Sequence, residues 1–308
     1  MENDRDQPNF FAGPYIDRRA EMRDSAHWRE EALADPNTLC VVSRGTTHLL
    51  YAESEPRIAF LNVTNPLAQE AAEQQLTLLG WYHGARCLLL ELPADIDTSR
   101  LPAGASFQEL RPLSNTLAPD DAALLAYTRA LIIWRSRYKF CGVCGSPTRS
   151  VRAGHALRCT NETCSHEIYP RLDPAIIVLV SDGERALLGR QASWPTGRYS
   201  TLAGFVEPGE SLEDAVKREV MEETGVRVHA IQYHSSQPWP FPSSLMIGFQ
   251  ARGEPGDIIK LDGELEDARW FTREEVTSGT AVLPPVHSIS YRLIATWLGI
   301  RPRSSTPR

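Results

Sequence analysis

The stretch from Gly204 to Val226, GFVEPGESLEDAVKREVMEETGV, constrains the fold of this 308-residue chain more than any other segment. Ser211, with Asp214 three residues later, is typical of a helix N-cap, and Gly225 is typical of a helix stop. Between them, small and branched apolar residues recur at helical spacing and predict one buried face, formed by Leu212, Ala215, Val216 and Val220. The segment therefore predicts an amphipathic helix preceded by a glycine-containing loop.

The same helix carries an unusual concentration of negative charge. Glu219, Glu222 and Glu223 are related by three or four residues, so their carboxylates share one helical face. Like charges at this spacing destabilise a bare helix but become favourable around a divalent cation, and hard oxygen ligands suit Mg²⁺ or Mn²⁺. The alternative is a solvated acidic face, which would leave Gly204 and the neighbouring Arg218–Glu219 pair unexplained.

Four of the six cysteines form a second metal-ligand pattern. CGVCG is followed by CTNETC, a C-x₂-C and a C-x₄-C knuckle that together predict a closed structural zinc site at Cys141, Cys144, Cys159 and Cys164. The alternative is four thiols without metal, which so small a ribbon would tolerate poorly. His155 and His166 are possible substitute ligands but are expected at the surface. Cys40 and Cys87 stand alone in apolar runs and are expected to be buried thiols.

Charge and composition limit the classes of partner. The formal net charge of −7 argues against general binding to nucleic acid or anionic membranes. The N-terminus lacks an apolar signal segment, and the longest apolar run, AIIVLV, is too short to span a bilayer, so we expect a cytoplasmic protein. Residues 135–171 are locally basic, with seven Lys/Arg and two Glu. They indicate either a solvated surface or a phosphate track.

A third feature, SSQPWPFPSSLM, follows the acidic helix. Pro238, Pro240 and Pro242 remove backbone donors and exclude a helix interior or a central strand. We therefore predict a stiff loop from Ser235 to Met246. Trp239 and Phe241 alternate with the prolines, and a stiff aromatic segment costs little entropy to order around a ligand.

These motifs resemble one known family. The acidic segment is similar to the Nudix box, G-x₅-E-x₇-R-E-U-x-E-E-x-G-U, and each fixed position matches: Gly204, Glu210, Arg218, Glu219, Val220, Glu222, Glu223, Gly225 and Val226. The zinc ribbon before the box and SQPWPFP-x-S after it, from Ser236 to Ser244, resemble the zinc-ribbon NADH pyrophosphatases of that superfamily. The resemblance is strong over residues 135–300 and loose over the N-terminal third. The C-x₄-C knuckle is longer than the commonest ribbon.

The resemblance implies a metal-dependent hydrolase that splits NADH, and less efficiently NAD⁺, into a nicotinamide mononucleotide and AMP. It implies that Mg²⁺ or Mn²⁺ is held by Glu219 and Glu223, by the carbonyl of Ala203 and by a later acid, expected at Glu264 with Glu266 as the competing choice. The implied catalytic set is Glu219, Glu222, Glu223, Arg218 and Glu210, with the last two orienting the carboxylates.

The resemblance further implies a dinucleotide pocket, a homodimer and activity on NAD-capped RNA. The implied substrate-binding residues are Tyr169, Ile177, Phe205, Gln237, Pro238, Trp239, Pro240, Phe241, Pro242, Ser243, Ser244, Met246 and Ser290. Two alternatives remain: a non-catalytic zinc-ribbon module with an inert Nudix domain, favoured by an incomplete box, and a Nudix enzyme for another nucleoside diphosphate such as ADP-ribose.

The expected fold class is α+β. We predict an N-terminal α+β domain over residues 1–130, a zinc ribbon over 131–170, a Nudix α/β/α sandwich with a mixed sheet over 171–300, and a flexible tail over 301–308. The segment Asp120–Phe140 predicts a helix, since acidic residues begin it and basic residues end it. PAIIVLVSDGERALLGRQ is expected to open the last domain, and RLIATWLG to form a closing helix.

Overall fold

The computed structural model describes residues 8–114, 116–254, 256–259 and 263–300. The predicted tail, residues 301–308, lies outside the described residues. Among the described helices, none combines the length and the apolar character that crossing a membrane requires.

The chain divides into two compact units. The N-terminal unit contains Gly13–Arg171 together with the short segment Pro240–Ser243. The C-terminal unit contains Leu172–Trp239, residues 244–300 and, from the other end of the chain, residues 8–12. The domain boundaries at residues 130 and 170 remain predictions, because the ribbon groups with the N-terminal unit in this division.

An eight-stranded mixed sheet forms most of the N-terminal unit, in the order β1-β6-β7-β2-β3-β4, with β5 beside β2 and β8 beside β3. Its elements are β1 (Ile16–Asp17), α1 (Trp28–Ala34), β2 (Leu39–Arg44), β3 (Thr47–Tyr51), β4 (Arg57–Ile58), β5 (Leu61–Asn62), α2 (Pro66–Gln69), β6 (Leu76–Tyr82), β7 (Ala85–Glu91), β8 (Ala105–Glu109), α3 (Leu110–Leu113) and α4 (Pro119–Arg137). The predicted helix at 120–140 is confirmed as α4, which ends three residues early. Cys40 and Cys87 are fully buried, as expected.

The ribbon is a three-stranded antiparallel sheet in the order β11-β10-β9. Its strands are β9 (Thr148–Val151), β10 (Ala156–Cys159) and β11 (Glu167–Ile168). Cys159 is the last residue of β10 and Cys164 lies in the turn before β11, while Cys141 precedes the turn before β9 and Cys144 ends it, in line with a knuckle arrangement.

The C-terminal unit is built on a six-stranded mixed sheet in the order β15-β16-β12-β13-β17, with β14 beside β12. Its elements are β12 (Asp173–Ser181), β13 (Arg185–Arg190), β14 (Leu202–Phe205), α5 (Leu212–Thr224), β15 (Val228–Trp239), β16 (Ser244–Gly253), β17 (Asp267–Thr272), α6 (Arg273–Thr277) and α7 (Ile289–Leu298). The central pair β12 and β16 is parallel, and the other strand pairs of this sheet are antiparallel.

Side-chain alternation along β12 creates a core on each face of this sheet. Ile176 and Val178 pack with α5 on one face, whereas Ile177 and Leu179 pack with α7 on the other. The structure thus confirms the predicted α/β/α sandwich with a mixed sheet, its opening strand β12 and its closing helix α7.

Candidate functional site

Helix α5 forms where the sequence predicts it. The Ser211 hydroxyl accepts a hydrogen bond from the backbone N–H of Asp214 at 3.2 Å, and the helix ends at Gly225, whose φ of 70° favours glycine. Ala215, Val216 and Val220 are buried against the sheet. Anchoring this apolar stripe fixes the orientation of the acidic face.

Arg218 organises the carboxylates around it. Its guanidinium donates from Nε and Nη2 to both oxygens of Glu210, at 2.6 and 2.9 Å, and from Nη1 to Glu219 at 2.9 Å and to Glu222 at 3.0 Å. Nη2 also donates to the carbonyl of Phe205 at 2.8 Å. These bonds engage all five N–H groups of the guanidinium, so Arg218 fixes the acidic side chains relative to strand β14.

The pKa values of two carboxylates in this network are shifted in opposite directions. The pKa of Glu210 lies below its ordinary value, chiefly because Arg218 donates hydrogen bonds to the carboxylate. The pKa of Glu219 is raised, first by burial and further by the negative charges of Glu222 and Glu264. Glu210 is therefore a stable anionic support, whereas Glu219 holds a charge that a nearby cation would stabilise.

Gly204 leaves the space in which the Glu219 carboxylate sits. A Cβ atom at Gly204 would lie 1.9 Å from Cδ and 2.0 and 2.2 Å from the two carboxylate oxygens of Glu219. Glu219 thus approaches the backbone of β14 next to Ala203, where a carboxylate and a backbone carbonyl can contribute to one ligand set. Glu223, on the same helix, is only 3% exposed. These hard oxygen donors, which we call the carboxylate cradle, are of the kind that a divalent cation prefers. Among the described residues, the four ribbon cysteines are the only group of three or more such side chains that lie close enough together to hold a metal, so the carboxylate ligand set remains a prediction.

The two candidates for the later acid differ in their surroundings. Glu264 is close enough for its charge to raise the pKa of Glu219. Glu266 instead forms an ion pair with Arg190. The role of Glu264 as the additional ligand remains a prediction.

Strand register gathers many of the proposed substrate-binding residues on one face of the sheet. Ala175 of β12 pairs with Phe205 on one side and with Met246 on the other, and Met246 pairs in turn with Gln237. Paired residues point to the same face, so this row continues by alternation to Ile177, Trp239 and Ser244. Helix α7 packs on this face, and α5 packs on the opposite one. Strand β14 carries Gly204 towards α5 and Phe205 towards the α7 face.

The proline segment is a hairpin rather than a loop, so that prediction is wrong. Residues up to Trp239 belong to β15, the turn is limited to Pro240–Ser243, and β16 begins at Ser244. Pro238 is compatible with a strand because β15 is the edge strand, where a missing N–H group costs least.

The proposed substrate residues differ in accessibility. Phe205 is 60% exposed on its sheet face. Gln237 is fully buried: its Nε2 donates to the carbonyls of Phe10 and His287 at 3.1 and 2.9 Å, and its Oε1 accepts from the N–H of Ile289 at 2.9 Å. Its amide makes these hydrogen bonds within the protein, and a direct substrate contact at Gln237 remains a prediction.

Ser290 is likewise buried. Its hydroxyl bonds to the hydroxyls of Ser200 and Thr201 at 2.8 and 2.9 Å and accepts from the N–H of Thr201 at 3.1 Å. It supports the chain leading into β14, so a direct substrate contact at Ser290 remains a prediction.

Other proposed contacts belong to the N-terminal unit. Tyr169 is 54% exposed, and its hydroxyl donates to Glu167 at 2.7 Å. The hairpin turn contains Pro240, Phe241, Pro242 and Ser243. The guanidinium of Arg129 donates to the Pro240 carbonyl at 3.1 Å and lies 5.2 Å from the centre of the Phe241 ring. This arginine is a contact of the motif that no sequence signal indicated.

The four ribbon cysteines converge as predicted. Their sulfur atoms all lie within 4.8 Å of one another, with 3.9 Å between Cys141 and Cys164 and 3.4 Å between Cys144 and Cys159. Sulfurs in a tetrahedral zinc site are separated by roughly 3.8 Å, given Zn–S bonds of about 2.3 Å. N–H groups of Val143 and Asn161 point at two of the sulfurs, at 3.4 Å each, and stabilise thiolates. The cluster fits structural zinc.

One expectation about the ribbon is wrong. His155 is buried, with Nε2 at 2.8 Å from the carbonyl of Leu78, because it packs against the neighbouring sheet; only His166 is exposed. The local basic charge is also partly neutralised by acidic partners. Arg152 pairs with Asp24, and Arg158 pairs with Glu167.

Comparison with known proteins agrees with this geometry. Family models match residues 171–297 (NUDIX domain), 136–169 (NADH pyrophosphatase zinc ribbon domain) and 37–134 (NADH pyrophosphatase-like rudimentary NUDIX domain). The N-terminal third, whose sequence motifs give only a loose resemblance, thus matches a family model of its own.

Curated relatives extend the similarity over most of the chain. The chain is 34% identical to the NAD-capped RNA hydrolase NUDT12 of Homo sapiens over 96% of this chain and 74% of the relative. It is 44% identical to the NAD-capped RNA hydrolase NudC of Stutzerimonas stutzeri over 72% and 77%, respectively. A NUDIX hydrolase structure from Nitrosomonas europaea is 25% identical, with a TM-score of 0.41 over 52% of this chain and 88% of that one.

Proposed function

The chain belongs to the zinc-ribbon, NADH pyrophosphatase-like branch of the Nudix hydrolases, and on that premise we propose that it hydrolyses the pyrophosphate bond of NADH and NAD⁺ to a nicotinamide mononucleotide and AMP. One observation carries the proposal. The carboxylate cradle on α5 lies against Gly204 of strand β14, and the next residue of that strand, Phe205, has an exposed ring. Adjacent positions of one strand would thus bring carboxylates that can hold a cation for a diphosphate close to a ring that can cover a base.

The chemistry depends on a divalent cation, for which we propose Mg²⁺ or Mn²⁺. Glu219, Glu223, Glu264 and the carbonyl of Ala203 would hold it. When bound there, such an ion would polarise a phosphoryl oxygen and lower the pKa of a bound water.

The protein's own residues provide orientation. Arg218 donates hydrogen bonds to Glu219 and Glu222, and Glu210 anchors Arg218 by accepting two hydrogen bonds. The pKa of Glu219 is raised chiefly by burial, so a nearby positive charge would favour its anionic form. Phe205, exposed on the other face of β14, is placed to cover a base of the dinucleotide.

Removal of NAD caps from RNA is the second proposed activity, supported by the names of the relatives. Because Arg152 and Arg158 form ion pairs with acidic residues, the candidate phosphate track depends on the other basic residues of the ribbon. Arg149 forms no ion pair among the described residues, so Arg149→Ala should weaken cleavage of NAD-capped RNA and its salt dependence. Cleavage of free NADH is its control, and equal effects on both substrates would argue against the track.

We also propose, from the family resemblance, that the enzyme is a homodimer of the cytoplasm. Sedimentation at micromolar concentration tests the homodimer. An active enzyme that sediments as a monomer would contradict the proposal.

The direct test of the catalytic proposal is Glu223→Gln. This variant should lose NADH turnover by a factor of about 10³ or more, since it removes charge from the ligand set while keeping side-chain shape. Glu213→Gln is the matched control because Glu213 lies exposed on the same helix. Full activity in Glu223→Gln would favour an unrelated site. A wild-type protein that cleaves no diphosphate would favour a non-catalytic zinc-ribbon module. Cleavage of ADP-ribose alone would favour a Nudix enzyme for another nucleoside diphosphate.

A further inference from the structure

The first described residues of the chain pack against the proposed dinucleotide-binding strand. Residues 8–12 belong to the C-terminal unit, although the whole N-terminal unit separates them from it in sequence. Asn9, Phe10 and Phe11 are 7%, 8% and 2% exposed. Three consecutive buried residues need specific partners for their polar groups.

Asn9 holds the outer edge of strand β15. Its amide Nδ2 donates to the Ser235 hydroxyl at 3.0 Å and to the Ser236 carbonyl at 2.8 Å, and its Oδ1 accepts from Arg292 of α7 at 3.0 Å. Since β15 ends the sheet, the Ser236 carbonyl has a side chain as partner where another strand would otherwise lie. Asn9 thereby ties the edge strand to helix α7.

Phe10 and Phe11 continue the contact along the same strand. The carbonyl of Phe10 accepts from the buried Gln237, as described above, and its ring lies 5.2 Å from that of His287. The ring of Phe11 meets Trp239 edge-on, with 6.3 Å between centroids. Phe11 does so with a φ of 68°, which is costly for a bulky residue and persists only where the surroundings enforce it.

We propose that residues 9–11 form an N-terminal clip that positions β15, and Trp239 in particular, for binding the dinucleotide. The inference rests on the proposed function, because it assigns the ligand to this strand. The clip residues act through Ser235, Gln237 and Trp239 and need not touch the substrate. Loss of the clip should therefore weaken the binding of NADH. The carboxylate cradle, on the opposite face of the sheet, should keep its geometry.

The test measures NADH turnover by Asn9→Ala and Phe11→Leu. Each should raise the KM for NADH about three- to tenfold and change kcat by less than about twofold, because a ring contact or buried hydrogen bonds are lost without altering the metal ligands. The same changes placed in the Glu223→Gln background should raise the Kd for NADH by the same factor. Phe271→Leu, at another fully buried ring of this unit, is the control and should leave KM unchanged.

Unchanged KM and Kd in both clip variants would overturn the inference, as would an equal rise in Phe271→Leu, which would indicate general loosening. A wild-type protein that neither binds nor cleaves NADH would instead defeat the proposed function, and the clip proposal with it. Because the wild type and its Glu223→Gln background are measured first, the two failures are distinguishable.

Discussion

Substituting Gly204 by alanine should separate catalysis from stability. The added Cβ would lie 1.9 Å from Cδ of Glu219, so the carboxylate would have to retreat by about 1.5 Å or more to reach van der Waals separation. Gly204 has no positive φ, and the conflicting atoms are the end of a flexible side chain. The strand should therefore accept alanine, and Glu219 should move.

The expected magnitudes follow from that displacement. Moving Glu219 disturbs its 2.9 Å hydrogen bond from Arg218, which in a partly exposed network contributes about 1 kcal/mol to the free energy of unfolding. A displacement beyond 1 Å in a catalytic constellation lowers the rate about 10²-fold. Gly204→Ala should thus lose about two orders of magnitude in kcat, while its melting temperature falls by only a few degrees.

Two further glycine-to-alanine variants serve as controls. Gly256→Ala adds a methyl group to open space and should change neither quantity. Gly253→Ala places Cβ 2.6 Å from Val180 Cγ1, so it should lower the free energy of unfolding by about 1–3 kcal/mol through overpacking while the folded protein keeps its kcat. Wild-type kcat and metal dependence in Gly204→Ala would refute the assignment of Glu219 as a metal ligand.

Three other predictions concern the guanidinium, the zinc site and pH. Arg218→Lys should lower kcat about 10–100-fold, since an ammonium group cannot replace the bidentate bond to Glu210; activity within twofold of wild type would contradict this. Elemental analysis should find one zinc per chain, lost in Cys141→Ser but kept in Cys87→Ala; zinc retained in Cys141→Ser would contradict the four-sulfur site. Burial lowers the pKa of His155 from 6.5 to about 4, so between these values the unfolded chain binds more protons than the folded one. Between pH 7 and pH 5, protonation of this residue in the unfolded chain should therefore lower the free energy of unfolding of the N-terminal unit by about 2 kcal/mol. In denaturant titrations, the free energy of unfolding of His155→Gln should fall by about 2 kcal/mol less than that of the wild type over the same pH range. An identical pH dependence in both proteins would contradict that assignment.

The sequence was most informative where one local pattern determines both structure and chemistry. Ser211 and Gly225 mark the ends of α5, and the spacing of Glu219, Glu222 and Glu223 follows from helical geometry alone. The two cysteine knuckles likewise carry their own turn chemistry, and the sulfurs converge as expected.

Long-range contacts were not readable in the same way. Pro238 suggested a loop because the position of β15 at the sheet edge is a tertiary property. His155 was expected at the surface because the sheet that buries it lies about 77 residues earlier in the chain, at Leu78. Asn9 joins Ser235 across 226 residues with no motif at either end. Such partners have no local signature, so only the folded chain brings them together.

The central claim is tested most directly by incubating the zinc-loaded protein with NADH and Mg²⁺ or Mn²⁺ and separating the products. Our account predicts reduced nicotinamide mononucleotide and AMP in equal amounts, with no reaction when the divalent cation is withheld. Intact NADH, under conditions in which the folded protein cleaves another diphosphate or none at all, would contradict it.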